Sequence, residues 1–292
     1  MKKTDAFPYI LLIPALLLVG LIAAWPIVET FRLSFTNASL KPTQEYVGFE
    51  NYAEFFNRDF WPVISRTLIW TGLSVFLKLA MGLLGAVLLN AAVPGRAIFR
   101  VLIMPPWVVP VAVGCFMWAW MYNGQFGMIS GLAQRVGLFG GPFEFLAYKQ
   151  SAFIATVITD VWIGTPLVAL YLLAAMQTIP KDLYEAAWTD GASRFYRFRR
   201  ITLPLLMPSI TTMALLSTIW TFNSFEIIWI LTEGGPRGAT TTMIIDTYKT
   251  AISRFRYGEG AARAVMILFC LMILSAIYLV VLNRLTSKAR AK

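Results

Sequence analysis

Long apolar runs, separated by short polar segments, dominate the pattern of this 292-residue chain. A helix needs roughly 20 apolar residues to cross about 30 Å of hydrocarbon, and six segments meet this requirement. Because lipid cannot satisfy backbone polar groups, each is predicted to be an α-helix, and the ten-residue alternation of β-barrels is missing. The predicted spans are residues 9–31, 67–91, 101–122, 153–177, 205–231 and 264–282, within one transmembrane domain covering residues 1–292. Prolines in the sequence MPPWVVP, residues 104–110, predict a kink in the third span.

Composition supports the membrane class. Hydrophobic residues make up 58% of the chain and charged residues only 14%, whereas soluble domains are nearer a quarter charged. The net charge of +10 is typical of basic cytoplasmic loops; nucleic-acid binding is disfavoured because the arginines are spread over short loops without a recognition motif. Without histidine, and with both cysteines inside apolar runs, neither a zinc site nor a disulfide framework is expected.

The basic residues also predict the orientation of the spans. The first apolar run is too long for a signal peptide, so we expect it to be an uncleaved span. Lys2, Lys3 and the short basic loops favour a cytoplasmic N-terminus, and six spans then place both termini in the cytoplasm. The polar segment between the fourth and fifth spans is then cytoplasmic as well.

That segment contains an unusually ordered polar block, YEAAWTDGASRFYRFRRITLP, residues 184–204. Good helix formers predict a helix over residues 181–188, and Asp190-Gly191 predicts a turn or a C-cap after it. A second helical segment is predicted at 192–200, before Leu203-Pro204 opens the next span. The first helix is expected to expose Tyr184, Ala187 and Trp188. One interpretation is an interfacial loop whose arginines contact anionic lipid.

The block resembles the EAA loop in the membrane subunits of binding-protein-dependent ABC importers. The pattern E-A-A, three residues, G, nine residues, I-x-L-P is met at every spacing. The matching residues, with Asp190 beside them, are Glu185, Ala186, Ala187, Gly191, Ile201, Leu203 and Pro204. Segments such as VGFENYAEFF and FNSFEIIWILTEGGP are similar to carbohydrate permeases, in particular the first permease of maltose and glycerol-phosphate importers.

The resemblance implies a six-helix type I importer permease in a bacterial inner membrane. Residues of about 180–203 would form a coupling helix that sits in a cleft of a cytoplasmic ATPase dimer. A second permease would complete the path as a heterodimer, and a solute-binding protein would dock outside on glycine-rich loops. ATP and Mg²⁺ would belong to the ATPase, because this chain has no GxxxxGK[ST] loop; it is expected to bind no cofactor or metal and to be no enzyme.

Polar residues within the predicted spans are candidates for the transport path, because charges at membrane depth are costly and often functional. Asn223 and Glu226 lie three apart, which predicts one helical face, and aromatic residues surround them. Amide, carboxylate and aromatic groups together suit a carbohydrate. The aromatic candidates are Trp220, Phe225 and, with less support, Trp118.

Lys78 and Asp160 are candidates for a buried charge network, with two interpretations. They could pair with each other inside the bundle, or Lys78 could bind an anionic sugar. Two other functional classes also stay open at this stage. An ion-coupled secondary transporter would use Lys78, Asp160 and Glu226 as a relay, whereas a membrane enzyme is disfavoured because no nucleophile–base or metal-ligand set is present.

Overall fold

The computed structural model describes residues 7–41, 43–91, 95–138 and 140–290. Within them there is no β-strand, only two isolated bridges, Thr36–Tyr46 and Ser39–Arg256. The prediction of an all-α protein is therefore confirmed. The α-helices are α1 (Phe7–Val19), α2 (Trp25–Ser34), α3 (Glu50–Arg58), α4 (Phe60–Asn90), α5 (Arg96–Leu102), α6 (Pro105–Val108), α7 (Val111–Tyr122), α8 (Met128–Arg135), α9 (Lys149–Gln177), α10 (Lys181–Thr189), α11 (Arg194–Arg197), α12 (Leu203–Phe222), α13 (Glu226–Thr232), α14 (Met243–Tyr248) and α15 (Tyr257–Arg290).

Five helical stretches of the described chain are long and apolar enough to cross a membrane, and a bent pair brings the number to six. The stretches are Leu11–Ser34, Phe60–Asn90, Lys149–Gln177, Arg194–Phe222 and Tyr257–Arg284, and the pair is Arg96–Val108 with Val111–Tyr122. Lys2 and Lys3, on which the predicted orientation partly depends, lie outside the described residues.

Two of the predicted spans are not continuous helices. The third bends by 92° between Val108 and Val111, because Pro110 cannot continue the hydrogen-bond ladder of the helix before it. The fifth was predicted to run over residues 205–231, but α12 ends at Phe222 and α13 begins at Glu226. At its other end, α12 is continuous with α11 through a π-helical turn, Phe198–Thr202.

Contacts divide the chain into two units. In the first, residues 1–61 and 246–269, the buried side chain of Arg263 makes the main polar contact. Its Nε donates to Asp246 Oδ2 at 2.8 Å, and its guanidinium carbon lies 4.7 Å from the ring centre of Phe55. Asp59 and Glu259 add carboxylates at 3.5 and 3.6 Å, so the buried cation is surrounded by counter-charge.

The second unit, residues 62–245 and 270–292, has a core in which α4, α9 and α12 pack together. Ala86 and Leu89 of α4 pack with Val168 and Leu172 of α9, and Met213 of α12 joins them. Close approach of α4 to α9 requires Gly82, where a Cβ atom would lie 2.4 Å from Val168 Cγ1. This packing holds the walls of the cavity described next.

Candidate functional site

A cavity of about 590 Å³ opens in the second unit, between the ends and faces of several helices. Its walls combine aromatic, hydroxyl, amide and charged groups, the mixture expected of a site for a polar organic ligand. The residues that line it are Lys78, Trp107, Val111, Asp160, Ile163, Gly164, Leu167, Met213, Ser217, Ile219, Trp220, Thr221, Asn223, Ser224, Phe225, Glu226 and Ile227.

The break between α12 and α13 forms one side of this cavity. Asn223 ends α12, and its side-chain Nδ2 donates to the Ile219 carbonyl at 3.0 Å. Asn and Ser side chains compete with the backbone for such hydrogen bonds, which explains why the helix stops at Asn223-Ser224 despite its apolar surroundings. The prediction that Asn223 and Glu226 share one helical face is therefore wrong, because the helix breaks between them. The break still places both residues in the cavity wall.

Aromatic side chains provide the apolar part of the wall. Trp107 and Trp220 line the cavity with 46% and 54% of their surface exposed, and Phe225 stacks on Trp229 with ring centres 5.3 Å apart. Trp118 is not brought to the cavity: it packs against Tyr122 and Trp162, with ring centres 5.3 and 5.7 Å away. Trp118 lies on the same face of α7 as Val111 but about two turns further along the helix, where it lines a separate, mainly apolar cavity together with Trp162.

Lys78 and Asp160 form a buried ion pair in the cavity wall. Lys78 Nζ lies 2.7 Å from Asp160 Oδ2 and donates a hydrogen bond to Thr221 Oγ1 at 2.6 Å. The aliphatic part of the lysine crosses Gly164, where a Cβ atom would lie 2.4 Å from Lys78 Cδ. The pair joins α4, α9 and α12 at the depth of the cavity, so the network that the sequence suggested does exist as a direct contact.

Sequence reasoning missed several residues of the wall. Trp107 lies in the segment for which the sequence predicted only a kink, and Trp107 is part of the cavity wall beside this bend. Ser217 and Thr221 lie four residues apart on α12, so one helical face carries both hydroxyl groups to the wall. That spacing, followed by Asn223 and Ser224, was a signal that could have extended the candidate set.

The second candidate site is the polar block after α9. Glu185 and Ala186 on α10 are exposed, as a docking surface requires, and Trp188 is 69% exposed. Tyr184 and Ala187 were expected to be exposed as well, but both are half-buried. The Tyr184 side chain turns toward the next span, where its hydroxyl hydrogen-bonds Thr202 Oγ1 at 2.9 Å. Tyr184 therefore fastens α10 to the buried start of the following span.

Asp190-Gly191 ends α10, as the sequence predicted, and Gly191 has left-handed backbone geometry. Its φ is +77°, the Ala192 amide donates to the Ala187 carbonyl at 2.9 Å, and the Gly191 amide donates to the Trp188 carbonyl at 2.9 Å. These two bonds form a Schellman motif. Asp190 is the residue at the C-cap.

The second half of the block is not a separate short helix at 192–200. Ser193 caps α11, with its hydroxyl accepting from the Tyr196 amide at 3.2 Å, and the helix continues into α12. Ile201 and Leu203 are half-buried within this continuous stretch, and Pro204 is accommodated near the start of α12. The block is thus one exposed helix joined by a tight turn to the next span.

Comparison with known proteins identifies the family to which this chain belongs. The model of the family described as "Binding-protein-dependent transport system inner membrane component" matches residues 78–291. The trehalose/maltose transport system permease protein MalF of Thermococcus litoralis is 37% identical, over 91% of this chain and 90% of that protein. The sulfoquinovosyl glycerol transport system permease protein SmoG of Agrobacterium fabrum is 35% identical, over 92% and 88% respectively.

A solved structure has the same fold. A chain of a bacterial ABC transporter involved in the import of the acidic polysaccharide alginate superposes with a TM-score of 0.80. It is 21% identical, and the match covers 99% of this chain and 96% of that one. The predicted importer-permease fold is therefore confirmed, and the ion-coupled secondary transporter is not favoured. The chain belongs to the family of inner membrane components of binding-protein-dependent transport systems, which are permeases rather than enzymes.

Proposed function

We propose that this chain forms half of the translocation path of an ATP-driven importer for a carbohydrate. The carbohydrate would pass through the cavity at the α12–α13 break. Relatives named for trehalose/maltose, diacetylchitobiose and galactooligosaccharides transport support a saccharide as the cargo. Import would proceed by alternating access, with the cavity open first to one side of the membrane and then to the other.

One observation carries this proposal: the cavity places aromatic rings beside hydroxyl-binding groups. The Asn223 amide and Glu226 carboxylate can exchange hydrogen bonds with sugar hydroxyls, and Trp220 offers an apolar face to the CH groups of a sugar ring. Ser217 and Thr221 add hydroxyl groups to the same wall. Such a wall provides many weak polar contacts, which suits a ligand that must also leave.

The exposed helix α10 would transmit the energy of ATP hydrolysis. Glu185, Ala186 and Ala187 would contact a cleft of an ATPase subunit, and the small alanine side chains permit close approach. Gly191 and the hydrogen bond between the hydroxyls of Tyr184 and Thr202 would hold α10 at a fixed angle to the stretch that leads to the cavity. ATP and Mg²⁺ would be bound by the ATPase dimer rather than by this chain.

A second permease would close the open side of the cavity as a heterodimer, and a solute-binding protein would deliver the sugar from outside. With both termini in the cytoplasm, α10 lies on the ATPase side of the membrane. The arginines near α11 can contact anionic lipid headgroups in the same orientation.

Purification and reconstitution test this proposal directly. An affinity-tagged chain is expected to copurify with an ATPase and a second permease, and proteoliposomes containing the complex should accumulate sugar only with ATP and binding protein. Uptake by this chain alone, driven by a proton or sodium gradient without ATP, would contradict the proposal and support the ion-coupled class.

A further inference from the structure

Three charged side chains line the cavity, and their positive and negative charges do not cancel. Lys78 contributes one formal positive charge, and Asp160 and Glu226 contribute two formal negative charges, so the formal net charge of this chain's wall is −1. The positive charge is also the least available of the three. Lys78 Nζ already contacts Asp160 at 2.7 Å and Thr221 at 2.6 Å, and 7% of the lysine side chain is exposed.

The remaining carboxylate is in the opposite situation. Glu226 is the first residue of α13, it is exposed to the cavity, and it has no ion-pair partner among the residues that the structure describes. It is therefore the charge that an incoming ligand meets. A carboxylate accepts hydrogen bonds from neutral hydroxyl groups, whereas it repels a second anion.

From this arrangement we infer that the transported ligand is an uncharged carbohydrate, and that sugar phosphates and uronic acids are rejected at the cavity. The inference rests on the proposed function and adds the charge of the substrate. An anion about 6 Å from Glu226 is expected to bind about tenfold more weakly than its neutral counterpart, between the limits for water and for a partly shielded protein site.

The inference also separates this chain from proteins that share its fold. One solved structure with a similar chain belongs to an importer of an acidic polysaccharide. Backbone similarity does not determine the charge of the cargo, because three side chains set the charge of this wall. The alternative in which Lys78 binds an anionic sugar is disfavoured because Asp160 already neutralises that ammonium group.

Ligand binding to the importer, measured in the absence of the binding protein, tests the inference. The selectivity of the binding protein then does not affect the result. The complex purified through this chain is placed in nanodiscs, and saturation-transfer NMR measures binding of trehalose, maltose, diacetylchitobiose and galactobiose. Each sugar is compared with its own 6-phosphate or uronic acid form. At least one neutral sugar is expected to bind, with its acidic form about tenfold weaker.

Two variants assign the discrimination to the cavity. Glu226→Gln removes the unpaired charge and is expected to reduce the neutral-to-acidic ratio several-fold. Glu233→Gln, which removes an exposed carboxylate of the same segment outside the cavity lining, should leave the ratio unchanged. Equal or tighter binding of the acidic forms by the wild type, or no change in Glu226→Gln, would overturn the inference while leaving a carbohydrate cargo in place. Absence of binding by the whole panel would instead contradict the carbohydrate cargo itself, and the inference with it.

Discussion

Lys78 Nζ on α4 lies 2.7 Å from Asp160 Oδ2 on α9, with both side chains buried at the wall of the cavity. The contact fixes two core helices at the depth where the ligand is expected to pass. It also removes the charge that a single lysine would otherwise present to that ligand. We therefore expect the pair to stabilise the cavity wall rather than to bind the ligand.

Removal of one member of the pair is expected to destabilise the protein more than removal of both. Asp160→Asn leaves the buried ammonium without its counter-charge, and Lys78→Met leaves the carboxylate, each at a cost of about 3–5 kcal/mol. The double variant Lys78→Met/Asp160→Asn should recover much of this loss. Thermal unfolding followed by fluorescence-detected gel filtration measures the effect, and single variants as stable as the wild type would show that the pair contributes little.

The hydroxyl of Tyr184 is expected to matter for coupling. Tyr184→Phe deletes the hydrogen bond to Thr202 and should loosen the attachment of α10 by about 1 kcal/mol. Sugar imported per ATP hydrolysed should fall, while the amount of assembled complex stays near normal. Tyr196→Phe, which removes the hydroxyl of an exposed tyrosine on α11, is the matched control. Equal transport stoichiometry in Tyr184→Phe and the wild type would exclude this role.

Gly191 provides a second test of the geometry of α10. At φ +77° an alanine is strained by roughly 1–2 kcal/mol, so Gly191→Ala should weaken binding of the ATPase and reduce uptake. Gly191→Asn should be milder, because asparagine tolerates the left-handed region. Gly131→Ala is the control, since no atom lies within 4 Å of a Cβ there and its φ is not positive. The idea fails if Gly191→Ala retains full ATPase affinity in a pull-down titration.

Arg263 is expected to be required for stability of the first unit. Arg263→Met leaves the buried carboxylate of Asp246 without its cation, which should cost about 3–5 kcal/mol, while Glu259 keeps its ion pair with Arg256. Arg263→Lys should recover only part of the loss, because lysine lacks the planar donors that reach several carboxylates. The exposed Arg254→Met is the control. A melting temperature unchanged by Arg263→Met would contradict the assignment.

The sequence predicted the helical class and the polar block well because both depend on local signals. Runs of about 20 apolar residues predict helices from length alone, and Asp190-Gly191 predicted a turn or C-cap because it directly follows the helix formers of residues 181–188. The break at Asn223-Ser224 was missed because hydropathy does not register a side chain that bonds its own helix backbone. The segment 192–200 was separated from the next span because Pro204 suggested a helix start, whereas a π-helical turn carries the helix through.

The composition of the cavity could be predicted only in part. Sequence clustering was enough to select four residues of the cavity wall, because polar and aromatic side chains follow one another closely in this segment. They are Asn223, Glu226, Trp220 and Phe225. Trp107 and Lys78 reach the same cavity from distant segments, and single-sequence reasoning contains no measure of which helices pack together. Trp118 illustrates the opposite error, since its residue type suited a sugar site but its place two turns along α7 from Val111 puts it against Trp162 instead.

Transport by a variant that changes only the cavity tests the central claim most directly. We expect Trp220→Ala to reduce ATP-dependent sugar uptake into proteoliposomes at least about tenfold, because it removes the apolar face against which a sugar ring would lie. Complex assembly and basal ATP hydrolysis should be preserved. Trp120→Ala, which alters another exposed tryptophan outside the cavity lining, should transport normally. Wild-type uptake by Trp220→Ala would contradict the assignment of this cavity as the translocation path.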